Sequence, residues 1–491
     1  EIRLSLVGSE MCIRDRYMCA MHRNGDFMYK INFDNPIHVH FIGIGGISMS
    51  GLAMILCNKN FTVSGSDSAR SPLTTHLESL GCHIAYPQSA DNITPDIDLV
   101  VYTAAIHPDN PEYAQAVRAG IPMMARAELL GQIMANYKTA VNIAGTHGKT
   151  TTTSMLSEIL LAADADPTIS VGGILKDIGG NIRIGRSDLF VTEACEYTNS
   201  FLSFNPTMNI ILNVKEDHLD FFKDLADIRA SFRRFVERLP EGGTLIINSD
   251  IEDYEYFCKG LNVKVITVGS DPDKSTYSAR GIAYDDLGRC HYTLLKNGEP
   301  YGIGEESSID LMVPGIHNVY NSLAAIAAAL ELDIPIAAIK KGLAEFYGTN
   351  RRFERKGVFN GVTVVDDYAH HPDEIKATLA AAGHYPHKTL WVAFQPHLYS
   401  RTKLLLDRFA AELSAADKVI LADIYAARET NTYGISSEDL MNKIKALGTE
   451  CYYFHTFDEI EKFLQKNCIN GDLLITMGAG DIYKVGEDLV K

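Results

Sequence analysis

The fold class of this chain is decided by the segment Ala140-Val-Asn-Ile-Ala-Gly-Thr-His-Gly-Lys-Thr-Thr-Thr152. An apolar strand is followed by a turn with two glycines and then by a threonine-rich helix. Backbone amides in such a turn, together with the positive end of the helix, can hold phosphate oxygens. Lys149 can reach the terminal phosphates of a nucleotide, and the hydroxyl of Thr150 can bind Mg²⁺. Ile143 occupies the place of the first glycine of the common G-x-x-x-x-G-K-[ST] pattern, so the spacing is a variant. We predict an ATP-binding loop formed by Gly145, Thr146, His147, Gly148, Lys149, Thr150 and Thr151.

Apolar strand-like runs alternate with helical periods on both sides of this loop. This pattern predicts an α/β fold with parallel sheets and crossover helices. The length of 491 residues favours two to four domains. We expect a Rossmann-like domain over 28–138, a central P-loop-type ATP-binding domain over 139–350 and a C-terminal Rossmann-like domain over 351–491. Strands are predicted at 37–42, 61–64, 97–102, 140–144, 189–192, 208–212, 244–247, 362–365, 389–392, 418–421 and 473–476.

The first 27 residues differ from the rest of the chain. They show neither a helix period nor a strand period, and they lack the order of a secretory signal. We expect residues 1–27 to be a non-native or disordered segment.

Composition restricts the partners. A formal net charge of −17 repels polyanions, so nucleic acid is not an expected partner. No apolar run is long enough to cross a membrane. The nine cysteines form no Cys-x-x-Cys pair. Scattered cysteines of this kind are typical of reduced cysteines in a cytoplasmic protein. The sequence leaves open whether the protein is a monomer or a homodimer.

Two segments after predicted strands carry candidate metal ligands. Glu193 ends one strand, and Glu216-Asp217-His218 follows the next. Carboxylates at strand ends of open α/β sheets face the ligand crevice. We expect Glu193 and His218 to bind a divalent ion that bridges ATP and the second substrate.

The first predicted domain contains a second glycine turn, Gly43-Ile-Gly-Gly-Ile-Ser-Met-Ser-Gly51. A turn of this kind before a helix forms a pyrophosphate cradle, although Ser48 stands where the third glycine of G-x-G-x-x-G would be. An acidic residue after the second strand can bind a ribose hydroxyl. NAD and a UDP-sugar both fit this pattern. The predicted substrate-binding residues are Gly45, Gly46, Ser48 and Asp67.

Further polar clusters follow the central domain's last strands. Asn318 and Asn321 open a helix and could meet the edge of an adenine. The third domain contributes Arg351-Arg352-Phe353, Asp366–Pro372 and Phe394–Thr402. The last two lie at strand-to-helix junctions, where site residues are expected.

Together these motifs resemble the Mur ligase family, in family order, over about residues 36–491. The resemblance implies three domains, which bind a UDP-substrate, bind ATP and deliver an amino acid. It implies a reaction in which ATP and Mg²⁺ support amide formation between L-alanine and the carboxylate of UDP-N-acetylmuramate. An acyl phosphate is the intermediate, and the product is a peptidoglycan precursor.

The resemblance also assigns roles residue by residue. Lys149 and Thr150 match contacts to ATP phosphate and metal, and Glu193 and His218 match metal ligands. Arg352 matches a nucleotide contact, and Asn318 and Asn321 match the adenine site. The γ-phosphate and alanine region is matched by Tyr368, His370 and Arg401. His370 could take the amine proton or hold phosphate.

Three departures and three alternatives accompany this interpretation. Cys195 stands where many members have aspartate, and Leu398 where many alanine-adding members have arginine. No lysine follows His218 at the spacing of the carbamylated lysine of later-acting members, which fits the alanine-adding step. The alternatives are a sibling ligase that attaches a recycled peptide to the same UDP-sugar, a nicotinamide-dependent dehydrogenase and a nucleotide-switch module.

Overall fold

The computed structural model describes residues 30–219, 221–427 and 429–491. The chain divides into one compact unit that ends at Asn136 and a second unit, Tyr137–Lys491. The predicted α/β class with three sheets is confirmed. The prediction for residues 1–27 lies outside the described part of the chain. No helix in the described ranges has both the length and the apolar character needed to span a membrane.

The first unit contains a five-stranded parallel sheet in the order β3-β2-β1-β4-β5. This order reverses direction between β1 and β4, and ligands of such sheets bind at that switch point. The turn after β1 is therefore well placed for a ligand. The strands are β1 His38–Ile42, β2 Thr62–Ser66, β3 His83–Ala85, β4 Leu99–Tyr102 and β5 Met123–Ala125, and the helices are α1 Ile47–Asn58, α2 Pro72–Ser79, α3 Pro111–Ala119 and α4 Arg126–Met134.

The second unit begins with an eleven-stranded sheet. Its parallel part has the order β13-β12-β11-β10-β6-β9-β7. Strand β8 pairs antiparallel with β7 at one end, and β14 pairs antiparallel with β13, β15 and β16 at the other. The strands are β6 Thr139–Ala144, β7 Thr168–Leu175, β8 Gly180–Arg183, β9 Leu189–Glu193, β10 Met208–Ile211, β11 Thr244–Asn248, β12 Lys264–Val268, β13 Tyr277–Tyr284, β14 Arg289–Lys296, β15 Glu299–Pro300 and β16 Ser308–Pro314. The helices are α5 Lys149–Ala162, α6 Leu225–Val236, α7 Ile316–Glu331 and α8 Ile336–Glu345.

A six-stranded sheet completes the second unit, in the order β17-β18-β22-β19-β20-β21. All pairs are parallel except β17 with β18. The strands are β17 Glu354–Phe359, β18 Val362–Asp367, β19 Leu390–Phe394, β20 Lys418–Leu421, β21 Glu450–Tyr453 and β22 Leu473–Met477. The helices are α9 Pro372–Ala382, α10 Tyr399–Leu404, α11 Leu406–Leu413, α12 Ser437–Ala446, α13 Phe457–Asn467 and α14 Tyr483–Leu489.

The core of the central sheet is built around α5 and α7. The segment Ala324–Ala329 of α7 is fully buried, because small side chains let this helix approach its neighbours closely. Gly342 of α8 serves the same purpose, since a Cβ there would lie 2.5 Å from the backbone of Ile159 in α5. Close helix packing therefore fixes α5, whose first turn carries the predicted phosphate loop.

An ionisable side chain, that of Glu158, is buried in this packing. Burial raises the pKa of Glu158, in α5, to about 8, and hydrogen bonding with Asp177 and repulsion from Asp177 and Glu345 add to the shift. Because the pKa in the folded state lies above its usual value, folding favours the protonated form. The stabilisation is complete below the ordinary glutamate pKa and is lost as the pH rises through about 8.

We predict that Glu158→Gln stabilises the protein at alkaline pH. At about pH 9 the melting temperature should rise by about 2–4 °C, because the variant buries no ionisable group, whereas at about pH 5 the two proteins should melt together. Differential scanning calorimetry across this range measures the effect, with the exposed Glu299→Gln as the control. A pH-independent difference would contradict the assignment.

Candidate functional site

The predicted phosphate loop lies between β6 and α5 and has the backbone that the glycines indicate. Gly145 and Gly148 have φ values of 144° and 88°, which favour glycine. Gly148 is also the N-cap of α5. A Cβ on Gly148 would lie 2.5 Å from Oδ1 of Asn321, so the loop and the predicted adenine residues are in close contact.

Asn213, two residues after β10, holds this loop in place. Its Oδ1 accepts a hydrogen bond from the amide of His147 at 2.9 Å, and its Nδ2 donates to the carbonyl of His147 at 2.9 Å. The carbonyl of Asn213 accepts from the amide of Thr146 at 3.1 Å. The sequence analysis missed this residue. A polar side chain just after a strand adjacent to β6 is the signal that could have identified it.

Lys149 is paired with the carboxylate of Glu196, which is not among the residues predicted from the sequence. Its Nζ donates to Oε2 of Glu196 at 2.9 Å and to the carbonyls of Gly145 and Thr146 at 2.5 and 3.2 Å. Burial by itself lowers the pKa of Lys149, but the carboxylate of Glu196 outweighs it and the net pKa is raised. The lysine is therefore charged in a largely buried position.

Glu193 lies beside Thr150, as the metal prediction requires. Its Oε2 accepts a hydrogen bond from the hydroxyl of Thr150 at 3.2 Å, and its Oε1 accepts from the amide of Gly172 at 2.5 Å. Burial raises the pKa of Glu193, while these two hydrogen bonds oppose the rise. The hydroxyl oxygen of Thr150 and Oε2 of Glu193 therefore lie close together at the N-terminus of α5.

His218 lies next to a contact that joins the central and C-terminal sheets. Its ring packs against Tyr197 with a centroid separation of 4.6 Å. The neighbouring Asp217 accepts from Nη2 of Arg401 at 3.2 Å. Burial alone would raise the pKa of Asp217, but His218 and Arg401 lower it to about 2, so the carboxylate is ionised.

Glu374, in the first turn of α9, is the centre of a second contact between these sheets. Its carboxylate lies 3.3 Å from Nδ1 of His147, in the phosphate loop, and 3.3 Å from Nδ1 of His370. Nη1 of Arg352 lies 3.8 Å away. Burial alone would raise the pKa of Glu374, but His370 and His147 hold it well below its usual range. The sequence analysis missed Glu374; its place three residues after the cap His371 is a capping-box pattern that could have identified it.

The tautomer of His370 follows from its neighbours. Nδ1 lies 2.9 Å from the carbonyl oxygen of Tyr368, which can only accept, so Nδ1 carries the proton. Nε2 then holds a lone pair. Burial lowers the pKa of His370, partly offset by Glu374, so the imidazole is neutral near pH 7.

Two arginines enclose Tyr368. The guanidinium groups of Arg351 and Arg352 lie 4.9 and 5.3 Å from its ring centroid. Arg351 is also bonded to Asp366 at 3.0 Å, which fixes the chain where the third sheet begins. The Arg352 side chain is the more exposed of the two, at 32% against 20% for Arg351, and it lines a cavity beside the phosphate loop.

A cavity of about 280 Å³ lies against the phosphate loop. Asn318 donates to the carbonyl of Pro314 at 2.7 Å and accepts from Nδ2 of Asn321 at 3.0 Å. The Asn318 side chain therefore joins the end of β16 to Asn321 within α7, and Gly315 is the N-cap of this helix. The predicted site residues in the cavity wall are His147, Gly148, Thr150, Thr151, Asn318, Asn321 and Arg352.

The glycine turn of the first unit is held by the acidic residue predicted for a ribose. Oδ2 of Asp67 accepts from the amide of Gly45 at 2.8 Å, and a Cβ on Gly45 would lie 2.8 Å from the same oxygen. Gly46 and Ser48 are exposed at the start of α1. Asp67 thus orders the turn, and its ribose role stays a prediction.

Cys195 and Leu398, which depart from the family pattern, lie in different environments. Burial and the neighbouring Glu196 raise the pKa of the Cys195 thiol, so it does not replace the charge of an aspartate. Leu398 is 5% exposed and has a φ of 68°, and its amide donates to the carbonyl of Tyr425 at 3.0 Å. A leucine in this strained position supplies no cation.

Gly148→Ala should weaken nucleotide binding at least tenfold. The substitution combines backbone strain of about 1–3 kcal/mol with the contact to Asn321. Isothermal titration with a non-hydrolysable ATP analogue measures the change. The control is Gly260→Ala, which has a φ of 78° but open space around its Cβ and should bind normally. Equal affinity in both variants would contradict the loop assignment.

The chain matches three domain families. These are the Mur ligase family, catalytic domain, at residues 38–138, the Mur ligase middle domain at 143–329 and the Mur ligase, glutamate ligase domain, at 351–480. Together they cover most of the chain.

Three relatives illustrate the similarity. A UDP-N-acetylmuramate–L-alanine ligase of Lachnospira eligens is 71% identical over 464 residues, which span 94% of this chain and the whole of that protein. The crystal structure of the UDP-N-acetylmuramate–alanine ligase of Thermotoga maritima has 30% identity and a TM-score of 0.76, and the match covers 92% of this chain and 98% of that one. A murein peptide ligase of Psychrobacter arcticus has 25% identity and a TM-score of 0.65 over the same shares. The three matched domains and the 71% identity lead to one conclusion: this chain belongs to the Mur ligase family.

Proposed function

We propose that this protein joins L-alanine to the carboxylate of UDP-N-acetylmuramate with ATP, in peptidoglycan precursor synthesis. One observation carries the proposal: Glu374 and Asp217 link the phosphate loop and its neighbourhood to His370 and Arg401 of the C-terminal sheet. The nucleotide phosphates and the amino acid would meet at this junction. The 71% identity to a ligase of that name supports the same substrates.

The chemistry explains why ATP is needed. A carboxylate does not react with an amine at neutral pH, because oxide would be the leaving group. When a carboxylate oxygen attacks the γ-phosphorus, ADP leaves and an acyl phosphate forms. The alanine amine attacks the acyl carbon, and the tetrahedral intermediate expels phosphate. The enzyme must position these groups and keep water away from the acyl phosphate.

Lys149 is suited to the phosphoryl transfer. Its charge is held at the loop by Glu196 and by the carbonyls of Gly145 and Thr146. Fixed charges of this kind stabilise the transition state, because they are already oriented when negative charge shifts between oxygens.

We propose that Nε2 of His370 accepts the proton that leaves the alanine amine. Its Nδ1 proton is held by the carbonyl of Tyr368, which leaves Nε2 as an acceptor, and the ring is neutral. A neutral acceptor can take a proton but cannot donate one to a phosphate from the same nitrogen. Arg401, anchored by Asp217, would bind the alanine carboxylate or the γ-phosphate.

The donor set beside the loop fits Mg²⁺. Oxygens bound to an octahedral Mg²⁺ at 2.0–2.1 Å are about 2.9 Å apart when adjacent. The Thr150 hydroxyl and the Glu193 carboxylate are 3.2 Å apart. We propose these two as ligands, with His218 as a further ligand. When bound, Mg²⁺ would neutralise phosphate charge.

The rival ligase, which attaches a peptide to the same UDP-sugar, has weaker support. The murein peptide ligase matches this chain at 25% identity, far below the L-alanine ligase at 71%. The dehydrogenase and nucleotide-switch alternatives leave either the phosphate loop or the histidines of the third sheet without a role. We further propose a cytoplasmic monomer or homodimer, since ATP and reduced thiols belong to that compartment.

The reaction predicts a transfer of oxygen. If the muramyl carboxylate is labelled with ¹⁸O and incubated with L-alanine and ATP, the released phosphate should contain one labelled oxygen, because that oxygen bonded to the γ-phosphorus. Mass spectrometry of the phosphate and of the conjugate measures both products. The recycled peptide in place of alanine is the control. Unlabelled phosphate, AMP as product or faster use of the peptide would refute the proposal.

Metal dependence tests two of the three proposed ligands. Glu193→Ala and His218→Ala should each raise the Mg²⁺ concentration for half-maximal rate on the order of tenfold or more, because each removes a ligand. Glu299→Ala, on an exposed edge strand, is the control. An unchanged Mg²⁺ dependence in both ligand variants would leave these residues a structural role only.

A further inference from the structure

A second group of metal-ligating side chains lies beside the proposed Mg²⁺ residues. His147 of the phosphate loop, His371 before α9 and Asp373 in its first turn each offer a donor atom, and the three atoms lie within 4.8 Å of one another. The rings of the two histidines are 5.1 Å apart. None of the metal positions proposed above includes these residues.

Two observations indicate that this cluster is suited to a ligand. His371 is 1% exposed, and its Nε2 has no hydrogen-bond partner. Nε2 of His147 is also buried and without a partner. Buried polar atoms are nearly always hydrogen-bonded, so two such nitrogens in neighbouring rings require an explanation.

The surroundings of His147 resemble those of a metal-binding histidine. Its Nδ1 lies 3.3 Å from the Glu374 carboxylate, which accepts a hydrogen bond from the Nδ1–H group. With the proton on Nδ1, Nε2 has a lone pair. Metal-bound histidines commonly have this carboxylate partner, which fixes the tautomer and orients the ring. The phosphate loop therefore presents the buried, unpartnered Nε2 of His147 as a ligand atom.

We propose that His147, His371 and Asp373 bind Zn²⁺. Two imidazoles and one carboxylate form a set that zinc accepts, whereas Mg²⁺ prefers oxygen ligands. Tetrahedral zinc with bonds of 2.0–2.2 Å separates its ligand atoms by about 3.4 Å, so ligand atoms that lie up to 4.8 Å apart would approach each other by up to about 1.4 Å on binding. The fourth position is left for water or for an oxygen of a ligand in the adjoining cavity.

The contacts that zinc must replace are weak. Asp373 is paired with Lys215 at 3.2 Å and Arg408 at 2.8 Å, and both cations are about half exposed. Pairs with this exposure contribute little. Nδ1 of His371 accepts a long 3.3 Å bond from the amide of Asp373. When Nε2 of His371 coordinates the metal, the ring proton must be on Nδ1. The hydrogen bond from the Asp373 amide to Nδ1 is then lost, and the metal bond replaces it.

The site would join two parts of the second unit. His147 belongs to the loop before α5, and the other two ligands belong to the start of α9. A zinc ion between them would hold the C-terminal sheet against the phosphate loop. This inference does not depend on the proposed ligase reaction, since it concerns binding of the metal alone.

Titration of the full-length, EDTA-treated protein with Zn²⁺ alone tests the proposal. Isothermal titration should show one strong equivalent, and Co²⁺ in its place should give the intense visible absorption of a tetrahedral site. His371→Asn, which keeps a good helix cap, and Asp373→Asn should each weaken Zn²⁺ binding on the order of tenfold to a hundredfold. Zn²⁺ should also raise the melting temperature of the unaltered protein but not of His371→Asn.

Two control variants make the result decisive. His384→Asn removes an exposed histidine shortly after α9, and Glu193→Ala removes a proposed Mg²⁺ ligand; both should retain full Zn²⁺ affinity. Circular dichroism verifies that each variant is folded. The proposal would be overturned if His371→Asn and Asp373→Asn bound Zn²⁺ as tightly as the unaltered protein. Loss of the strong Zn²⁺ equivalent in Glu193→Ala would overturn it as well.

Discussion

The buried charge of Lys149 is the interaction on which the rest of the site depends. Burial disfavours an ammonium group, so the fold must supply compensation, and it does so with the Glu196 carboxylate and two loop carbonyls. The carbonyls can point at the lysine only because the loop turns through Gly145 and Gly148 with positive φ. In the same turn the amides of Thr146 and His147 donate to Asn213, which fixes the loop backbone.

The carboxyl edges of two sheets meet at the site. The central sheet contributes the phosphate loop, Glu193 and Asp217, which follow neighbouring strands, and the C-terminal sheet contributes the residues after β18 and β19. Two ionised carboxylates connect the edges, because Glu374 faces His147 and Asp217 faces Arg401. Both carboxylates have lowered pKa values and stay charged near neutral pH. The junction is therefore electrostatic, and such contacts can be exchanged when charged substrates arrive.

Several residues with a strained backbone lie in the same region. His218, Arg351 and Leu398 are non-glycine residues with φ between 52° and 68°. Conformations of this kind persist where surrounding contacts enforce them, and they are common at functional sites. Arg351 is held by Asp366 and two tyrosine rings, and Leu398 by Tyr425. These contacts fix the backbone from which Arg352 and Arg401 extend.

The sequence alone determined many of the most buried strands of the sheets and the order of the motifs. Strands such as β19 and β22 are buried along their whole length, so a continuous apolar run between turn signals was enough to predict them. The strands that it did not predict include the inner strands β7, β12 and β14 and the edge strands β8, β15, β17 and β21. All of them contain exposed or partly buried residues, so they lack a continuous apolar run that distinguishes them from loops. The ATP loop was predicted because glycine, lysine and threonine must stand in one local order to hold phosphate.

Only the tertiary structure decided which polar groups meet. Glu196, Asn213 and Glu374 occupy unremarkable places in the sequence, yet they hold Lys149, the phosphate loop and His370. Their partners are distant in the chain, by as many as 227 positions between His147 and Glu374. Local patterns report periodicity and turn chemistry over a few residues, whereas pairs at such separations arise from the way the sheets are packed. The same reason explains why the unpartnered nitrogens of His147 and His371, and the tautomer of His370, could be read only from the folded chain.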